Sequence, residues 1–189
     1  MDEHQAILSL KRGQIQALEY LVEVYQVKAM RAAFLITNDQ KLAEDLVQEA
    51  FLRAYECIHQ FDESRPFGPW FLRSVCNAAI KSTRRNHRLI SLDAETDGVR
   101  TFAEKLLADE PQPDDIVESN ELKESLQQAL LMLTPRQRAV LVQRYYLGMS
   151  EKQISDELDS KAGTVKWLLN SARVRLRGVL TLIRKDNHE

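Results

Sequence analysis

Apolar residues recur at intervals of three and four along most of this 189-residue chain. That spacing places side chains on one face of an α-helix. Only six glycines and five prolines are present, and they fall mainly between the periodic stretches. The sequence therefore predicts an all-α fold, with two small helical domains joined by a flexible linker. The two N-terminal series are Ile15, Leu18, Leu21, Val22, Tyr25, Met30 and Phe34, then Leu42, Leu46, Val47, Ala50, Phe51, Ala54 and Ile58.

Turn-forming residues set the predicted boundaries of the N-terminal helices. The pair Asn38-Asp39 is predicted to end the first helix, and the second begins at Leu42. Residues 61–69 hold two prolines and a glycine, so no helix is expected there. A third helix is predicted over 70–86.

The net charge of −2 hides an uneven distribution. Residues 71–90 carry five basic and no acidic side chains, and residues 161–185 carry seven basic and no acidic ones. Residues 91–120 carry nine acidic and two basic side chains. Two basic blocks are the electrostatic footprint of phosphate binding, although either block alone could be a solvated helix face. The acidic segment predicts a linker over 91–118.

The composition excludes several classes of protein. No stretch approaches the roughly 20 apolar residues of a membrane span, and the N-terminus lacks the pattern of a signal peptide, so a cytoplasmic protein is expected. Cys57 and Cys76 are too few for a disulfide framework or a zinc site and are interpreted as small buried residues. The four histidines form no paired motif, and no nucleophile stands beside a base. We therefore expect no metal, cofactor, small-molecule substrate or enzyme activity.

The C-terminal part contains two signatures of a helix N-terminus. Residues 134–137 and 150–153 each place Gln three positions after a Thr or Ser, as in a capping box. Gly148 suits the end of the first of these helices, and a longer basic helix begins near Gly163. A short capped helix, a turn and a longer basic helix predict a helix-turn-helix, which binds duplex DNA through its second helix. An ordinary helical bundle is the alternative.

The second helix of this pair has two predicted faces. Thr164, Lys166 and Trp167 lie near its start, where base edges are contacted, and arginines further along suit phosphates or solvent. The residues predicted to pack inward are Val165, Leu168 or Leu169, Ala172 and Leu176.

Five segments carry a resemblance to a known family. Three of them are C-terminal: Leu133–Arg138, Tyr145–Ser150 and Gly163–Lys166. The other two are Ala43–Tyr55 and Pro69–Ala78. In this order and spacing, and over nearly the whole chain, they resemble bacterial RNA polymerase sigma factors of the extracytoplasmic-function (ECF) group.

The resemblance implies a transcription initiation factor that directs core RNA polymerase to promoters. Residues 1–90 would bind the polymerase beta-prime clamp helices and the melted minus-10 element. Residues 119–189 would bind the minus-35 duplex and the beta flap. An anti-sigma factor is a common further partner in this family.

The resemblance also implies three sets of site residues. The set for core-polymerase binding is Asp45, Gln48, Glu49 and Arg53. The set for the minus-10 strand is Phe67, Trp70, Arg73 and Asn77 around a flipped base, Lys81, and Arg84, Arg85 and Arg88 on phosphates. The set for the minus-35 duplex is Lys161, Thr164, Lys166, Trp167, Asn170 and Arg173.

Each set has an alternative interpretation. The acidic face of Ala43–Tyr55 suits arginines of a partner, but it could also be a solvated surface; a carboxylate metal site is less favoured without a histidine nearby. Trp70 could equally belong to the core, and for Phe71 the core is preferred. Asp159-Ser160-Lys161 and Trp167-Leu168 depart from the usual family pattern.

Two rival functions remain at the level of the sequence. A stand-alone helix-turn-helix regulator with a helical sensing or dimerising domain would not need the acidic face and the basic 71–90 helix. A helical enzyme with a DNA-binding tail lacks a recognisable catalytic motif.

Overall fold

The computed structural model describes residues 1–86, 126 and 128–186. Helices dominate these residues, and none of them lies in a strand, which confirms the all-α prediction for the described part of the chain. Single turns of 3-10 helix lie at Ile15–Ala17 and Ile58–Gln60. The α-helices are α1 (Glu3–Lys11), α2 (Leu18–Thr37), α3 (Gln40–Glu56), α4 (Phe67–Asn86), α5 (Pro135–Leu141), α6 (Glu151–Glu157) and α7 (Ala162–Asp186).

The junction between α2 and α3 lies where the sequence predicts it. Asn38 takes the left-handed conformation, with φ 56°, and its N–H donates to the Phe34 carbonyl at 2.7 Å. The Asp39 carboxylate then accepts from the Leu42 N–H at 2.9 Å and caps α3. Asparagine tolerates the left-handed region and aspartate is a favoured N-cap, so two adjacent residues end one helix and start the next.

Helix α1 is an element that the apolar spacing did not indicate. A capping box begins it: the Asp2 carboxylate accepts from the Gln5 N–H at 2.8 Å, and the Gln5 side chain accepts from the Asp2 N–H at 3.3 Å. At its other end, Lys11 Nζ donates to the Phe61 carbonyl at 2.9 Å. Helix α1 adds Ala6, Ile7 and Leu10 to the core.

Helix α4 begins at Phe67, three residues before the predicted start. The expectation of no helix over 61–69 is therefore wrong for its last three residues. Pro69 is the third residue of the helix, where a backbone N–H has no intrahelical acceptor, so proline costs no hydrogen bond there.

An aromatic cluster holds α4 against α2. Phe67 and Phe71 are fully buried and stacked, with ring centroids 5.7 Å apart. The Tyr25 ring lies 5.6 Å from Phe67 and 6.2 Å from Phe71. The Tyr25 hydroxyl donates to the Glu3 carboxylate. Burial and this hydrogen bond raise the pKa of Tyr25 above its ordinary value.

Both predicted capping boxes of the C-terminal domain are present. Thr134 Oγ1 accepts from the Gln137 N–H at 3.3 Å, and Gln137 Oε1 accepts from the Thr134 N–H at 3.0 Å. Ser150 and Gln153 repeat this pair of bonds at 3.2 and 2.8 Å. The caps therefore fix where α5 and α6 begin.

A single π-helical turn, Val142–Tyr146, continues α5. The Leu147 N–H donates to the Val142 carbonyl at 3.0 Å. Gly148 follows at φ 69°, a conformation that favours glycine, so its predicted place at the helix end is confirmed.

The inward face of α7 matches the prediction. Leu168 and Leu169 are both buried, and Leu176 packs against the same cluster as a partly buried residue. The buried members of this C-terminal core are Leu133, Val140, Leu141, Ile154, Val165, Leu168, Leu169 and Ala172.

A further apolar cluster joins the two halves of the chain. Its N-terminal members lie on α2, α3 and α4, and its C-terminal members lie on α5 and the π-turn. Cys76 is completely buried in it, as predicted, whereas Cys57 is only half-buried. The buried members are Ala32, Ile36, Leu46, Cys76, Ala79, Ile80, Ala139 and Val142. The predicted 91–118 linker lies outside the described residues.

Candidate nucleic-acid and protein interfaces

The outward face of α7 carries five of the six residues predicted to read the minus-35 duplex, and the sixth, Lys161, directly precedes the helix. Trp167 is 63% exposed although it is a large apolar side chain. Lys166, Asn170 and Arg173 follow each other at intervals of four and three, so they share one stripe of the helix. All six predicted residues are exposed: Lys161, Thr164, Lys166, Trp167, Asn170 and Arg173.

The turn before α7 differs from the family pattern but is well bonded. Asp159 takes a positive φ of 44°. The Ser160 hydroxyl donates to the Leu158 carbonyl at 3.0 Å and accepts from Arg136 Nη2 at 2.6 Å, so it is committed to the turn. Helix α7 begins directly after Lys161.

The Tyr145 ring lies beside the outward face of α7, and the sequence analysis did not predict this. Arg173 lies over this ring, with its guanidinium carbon 5.8 Å from the centroid, and Tyr145 is 62% exposed. Such a contact holds the guanidinium in place while leaving its edge free for hydrogen bonds. In the sequence Tyr145 continues the apolar spacing of Val140 and Leu141, so the spacing predicted a buried ring.

One face of α4 brings together most of the predicted minus-10 residues. Trp70, Arg73, Asn77 and Lys81 follow at intervals of three and four and therefore lie on one side of the helix. Trp70 is half-buried against Phe61, at 5.1 Å between ring centroids. Lys81 is exposed, and Arg73 and Asn77 are half-buried. We call these four residues the α4 face.

Phe67 does not belong to the α4 face. Its side chain is completely buried within the aromatic cluster, so a base cannot reach it in this conformation. The expectation that Phe67 contacts a flipped base is therefore corrected: it is a core residue. Arg84 and Arg85 lie near the end of α4, and Arg88 lies outside the described residues.

Glu157, at the end of α6, lies on the α4 face. Asn77 Nδ2 donates to Glu157 Oε1, and Arg73 Nε forms an ion pair with Glu157 Oε2. The Glu157 side chain is only 10% exposed. Nothing in the sequence indicated this contact, because an acid on a short helix usually faces solvent.

The outward face of α3 carries the four residues predicted to bind polymerase. Asp45, Gln48, Glu49 and Arg53 are all exposed. Glu49 accepts from Arg53 Nη2 at 2.6 Å, one helical turn away, in a pair that solvent screens.

An open apolar groove of about 620 Å³ runs beside this α3 face. Gln48 and the half-exposed Leu52 form part of its α3 side. Val27, which is 54% exposed, contributes from α2. Sequence reasoning missed the α2 side, although apolar residues on more than one face of α2 were a visible signal. The lining residues are Leu18, Val22, Gln26, Val27, Met30, Glu44, Val47, Gln48, Phe51 and Leu52.

The described residues hold no group of three or more His, Cys, Asp or Glu side chains placed to bind a metal ion. Within the same residues, no helix combines the length and hydropathy of a bilayer span.

Family models match both halves of the chain. Sigma-70 region 2 matches residues 21–89, and Sigma-70, region 4 matches residues 123–176. Two solved structures share the fold: CnrH in complex with the cytosolic domain of CnrY, and the sigma factor RpoE in complex with the anti-sigma factor NepR from Bartonella quintana. Their TM-scores are 0.60 and 0.61, each at 21% identity, over 95% and 86% of this chain and 97% of each of those chains.

Sequence relatives extend the match over almost the full length. The RNA polymerase sigma-H factor of Pseudomonas aeruginosa is 26% identical over 173 residues, 90% of each chain. The ECF RNA polymerase sigma factor SigW of Bacillus subtilis is 34% identical over 173 residues, which are 90% of this chain and 92% of SigW. With both sigma regions matched in order, the chain belongs to the ECF RNA polymerase sigma factors, the initiation factors that direct polymerase to promoters.

Proposed function

We propose that the chain recognises promoters with two separate parts, residues 1–90 and 119–189, joined by the linker 91–118. The two family matches fall inside these two parts and support the division. Polymerase performs the chemistry, and we assign no catalytic step to this chain. The site of action would be the cytoplasm, where bacterial DNA and polymerase meet.

The α3 face is the proposed docking surface for the beta-prime clamp helices. Its carboxylates are exposed beside an apolar groove, so a partner helix could bury apolar residues while its arginines pair with Asp45 and Glu49. Gln48 lines the groove and is exposed, which supports its place in the contact. Arg53 would keep Glu49 oriented.

The α4 face is the proposed site for the melted minus-10 strand. Trp70 offers a partly exposed ring for stacking, and Arg73 and Asn77 supply hydrogen-bond donors next to it. Lys81, and beyond it Arg84, Arg85 and Arg88, would contact phosphates.

The outward face of α7 is the proposed site for the minus-35 duplex. The exposed Lys166 and Trp167 lie in its second turn, where a recognition helix contacts base edges. Lys161 precedes the helix N-terminus and suits a phosphate. This domain would also touch the beta flap.

An anti-sigma factor is a further proposed partner. One structure that shares the fold is a sigma factor bound to an anti-sigma factor, and that likeness supports the proposal without naming a partner here. A stand-alone helix-turn-helix regulator is not favoured, since it would have no use for the region that matches Sigma-70 region 2.

The acidic linker suggests one more proposed role, as a mimic of nucleic acid along polymerase channels. Its charge, nine acids against two basic residues over 91–120, supports the idea. Replacing the acids with Asn and Gln should change the yield of short early transcripts; unchanged yields would remove this role.

Binding to core polymerase is the experiment that tests the proposed function. The purified chain is mixed with core polymerase of the source bacterium, and the complex transcribes fragmented genomic DNA so that transcript starts can be mapped. We expect a stable complex and starts at a limited set of sites. A chain that fails to bind core polymerase cannot act as proposed.

The α3 face is tested by reversing one charge. Asp45→Arg should weaken core binding by about 1–3 kcal/mol, because a like charge would face the partner's arginines. Asp156→Arg makes the same change at an exposed position of α6 and is the control. Equal losses in titrations with labelled core polymerase would exclude Asp45 from the contact.

A further inference from the structure

The contact between Glu157 and the α4 face couples the two DNA-reading parts of this sigma factor. The carboxylate satisfies an amide donor of Asn77 and the charge of Arg73 together. These are the kinds of group that would hold a phosphate or a base acceptor. With its side chain 10% exposed, Glu157 is enclosed by the contact and does not lie on an open surface.

A second polar contact, made by a residue of α5, joins the same two parts of the chain. Arg138 of α5 donates from Nε to the Ile36 carbonyl at 2.9 Å. Ile36 lies in the last turn of α2, where carbonyls have no intrahelical partner and attract a cation. Arg138 is only 7% exposed, and this burial lowers its pKa from the ordinary value. Burying a guanidinium is costly unless it is hydrogen-bonded, and the Ile36 and Leu133 carbonyls accept from Arg138 here.

Apolar side chains of both parts are buried together beside these two polar contacts. Ala139 and Val142 of the C-terminal part are buried in one cluster with Ile36 and Cys76 of the N-terminal part. Leu158, next to Glu157, packs against the same cluster. The two parts therefore share a small core in addition to their polar contacts.

We propose that the free chain closes on itself and that Glu157 caps the α4 face, occupying the groups that would bind the single strand. That this capped face reads DNA rests on the proposed function; the closure itself does not. Opening is then a step that precedes strand capture. The apparent affinity for single-stranded DNA is then the affinity of the open form multiplied by the fraction of molecules that are open.

Glu157→Gln is the variant that tests the closure. It keeps the size of the side chain and removes the charge that faces Arg73. Asp156→Asn is the matched control, because it removes the same charge from the neighbouring, exposed residue. Loss of one charge-assisted contact should raise the open fraction about tenfold.

Cys76 reports opening without any DNA. It is completely buried in the shared cluster, and in a Cys57→Ser background it is the only thiol of the chain. We expect Glu157→Gln to speed the reaction of Cys76 with DTNB about tenfold, and Asp156→Asn to leave the rate unchanged. Equal rates for the two variants would overturn the closure.

Oligonucleotide binding reports the capping. Fluorescence anisotropy with a labelled oligothymidine at low salt should show about tenfold tighter binding for Glu157→Gln than for Asp156→Asn. Equal affinities beside a faster thiol reaction would overturn the capping and count against DNA binding by the α4 face. Thiol reactivity and oligonucleotide binding do not depend on core polymerase. Failure of the proposed function would appear instead as a failure to bind core polymerase.

Discussion

Gly68 is a residue at which one added methyl group has no space. A Cβ built there would lie 2.6 Å from Tyr25 Cε1. The Tyr25 ring cannot easily move away, because its hydroxyl is bonded to Glu3 and its faces pack near Phe67 and Phe71. Gly68→Ala should therefore lower the free energy of unfolding by about 1–3 kcal/mol, as measured by urea denaturation.

Gly178→Ala is the control for this prediction. Gly178 lies in α7, and among the described residues no side chain from elsewhere in the fold comes within 4 Å of a Cβ added there. Alanine is the better helix former, so this change should stabilise the chain by about 0.5–1 kcal/mol. A neutral or stabilising Gly68→Ala would show that the Tyr25 ring yields freely.

Cys76 makes stability depend on alkaline pH. Burial, and secondarily the charge of Glu157, raises the pKa of the Cys76 thiol from 9.0 to about 12. Between these values the unfolded chain loses the thiol proton while the folded chain keeps it, so the free energy of unfolding falls as pH rises. The slope from this one group is at most about 1.4 kcal/mol per pH unit.

The measurement compares urea midpoints near pH 8 and pH 10. Cys76→Ala should show a smaller fall than the wild-type chain over this interval. Tyr25 also has a raised pKa, and it remains in both proteins, so the difference isolates the thiol. Equal decreases of the urea midpoint in the wild-type chain and in Cys76→Ala would mean that Cys76 ionises as easily in the folded chain as in the unfolded one.

At the scale of elements, the proposed binding of α7 to the minus-35 duplex can be tested with one substitution. Lys166→Ala should weaken binding to minus-35 duplexes, taken from the mapped promoters, by about 1–2 kcal/mol. If Lys166 contacts a phosphate, the slope of log K against log salt should also fall by about 1. Lys28→Ala removes the same charge from an exposed position of α2 and should change neither quantity.

The helix boundaries show what local sequence decides. The capping boxes at Thr134 and Ser150 were predicted and are present, because the bonds they make are between residues three apart. Helix α1 was missed although it has the same kind of box at Asp2. Its apolar side chains Ala6, Ile7 and Leu10 make no extended periodic series, and their packing into the core is a tertiary contact.

At the scale of the whole molecule, promoter opening tests the α4 face. Asn77→Ala should impair strand opening, followed by permanganate reactivity, more than formation of the closed complex, followed by binding to duplex promoters in the cold. The reason is that the Asn77 amide would hydrogen-bond a base that is unpaired only after the strands have melted. Gln16→Ala removes an exposed amide elsewhere and is the control. Unchanged opening would remove Asn77 from strand capture.

The sequence by itself determined the helices other than α1, the capping boxes at Thr134 and Ser150, the buried side of α7 and the family, because these depend on spacing and on contacts between near neighbours. It also placed Asp45, Gln48, Glu49 and Arg53 on one face, which the structure leaves exposed. Only the tertiary structure decided that Phe67 is core and that Glu157 covers Arg73 and Asn77. The physical reason is distance along the chain: Asn77 and Glu157 are 80 residues apart, and no local pattern records which surfaces meet when two helical domains pack.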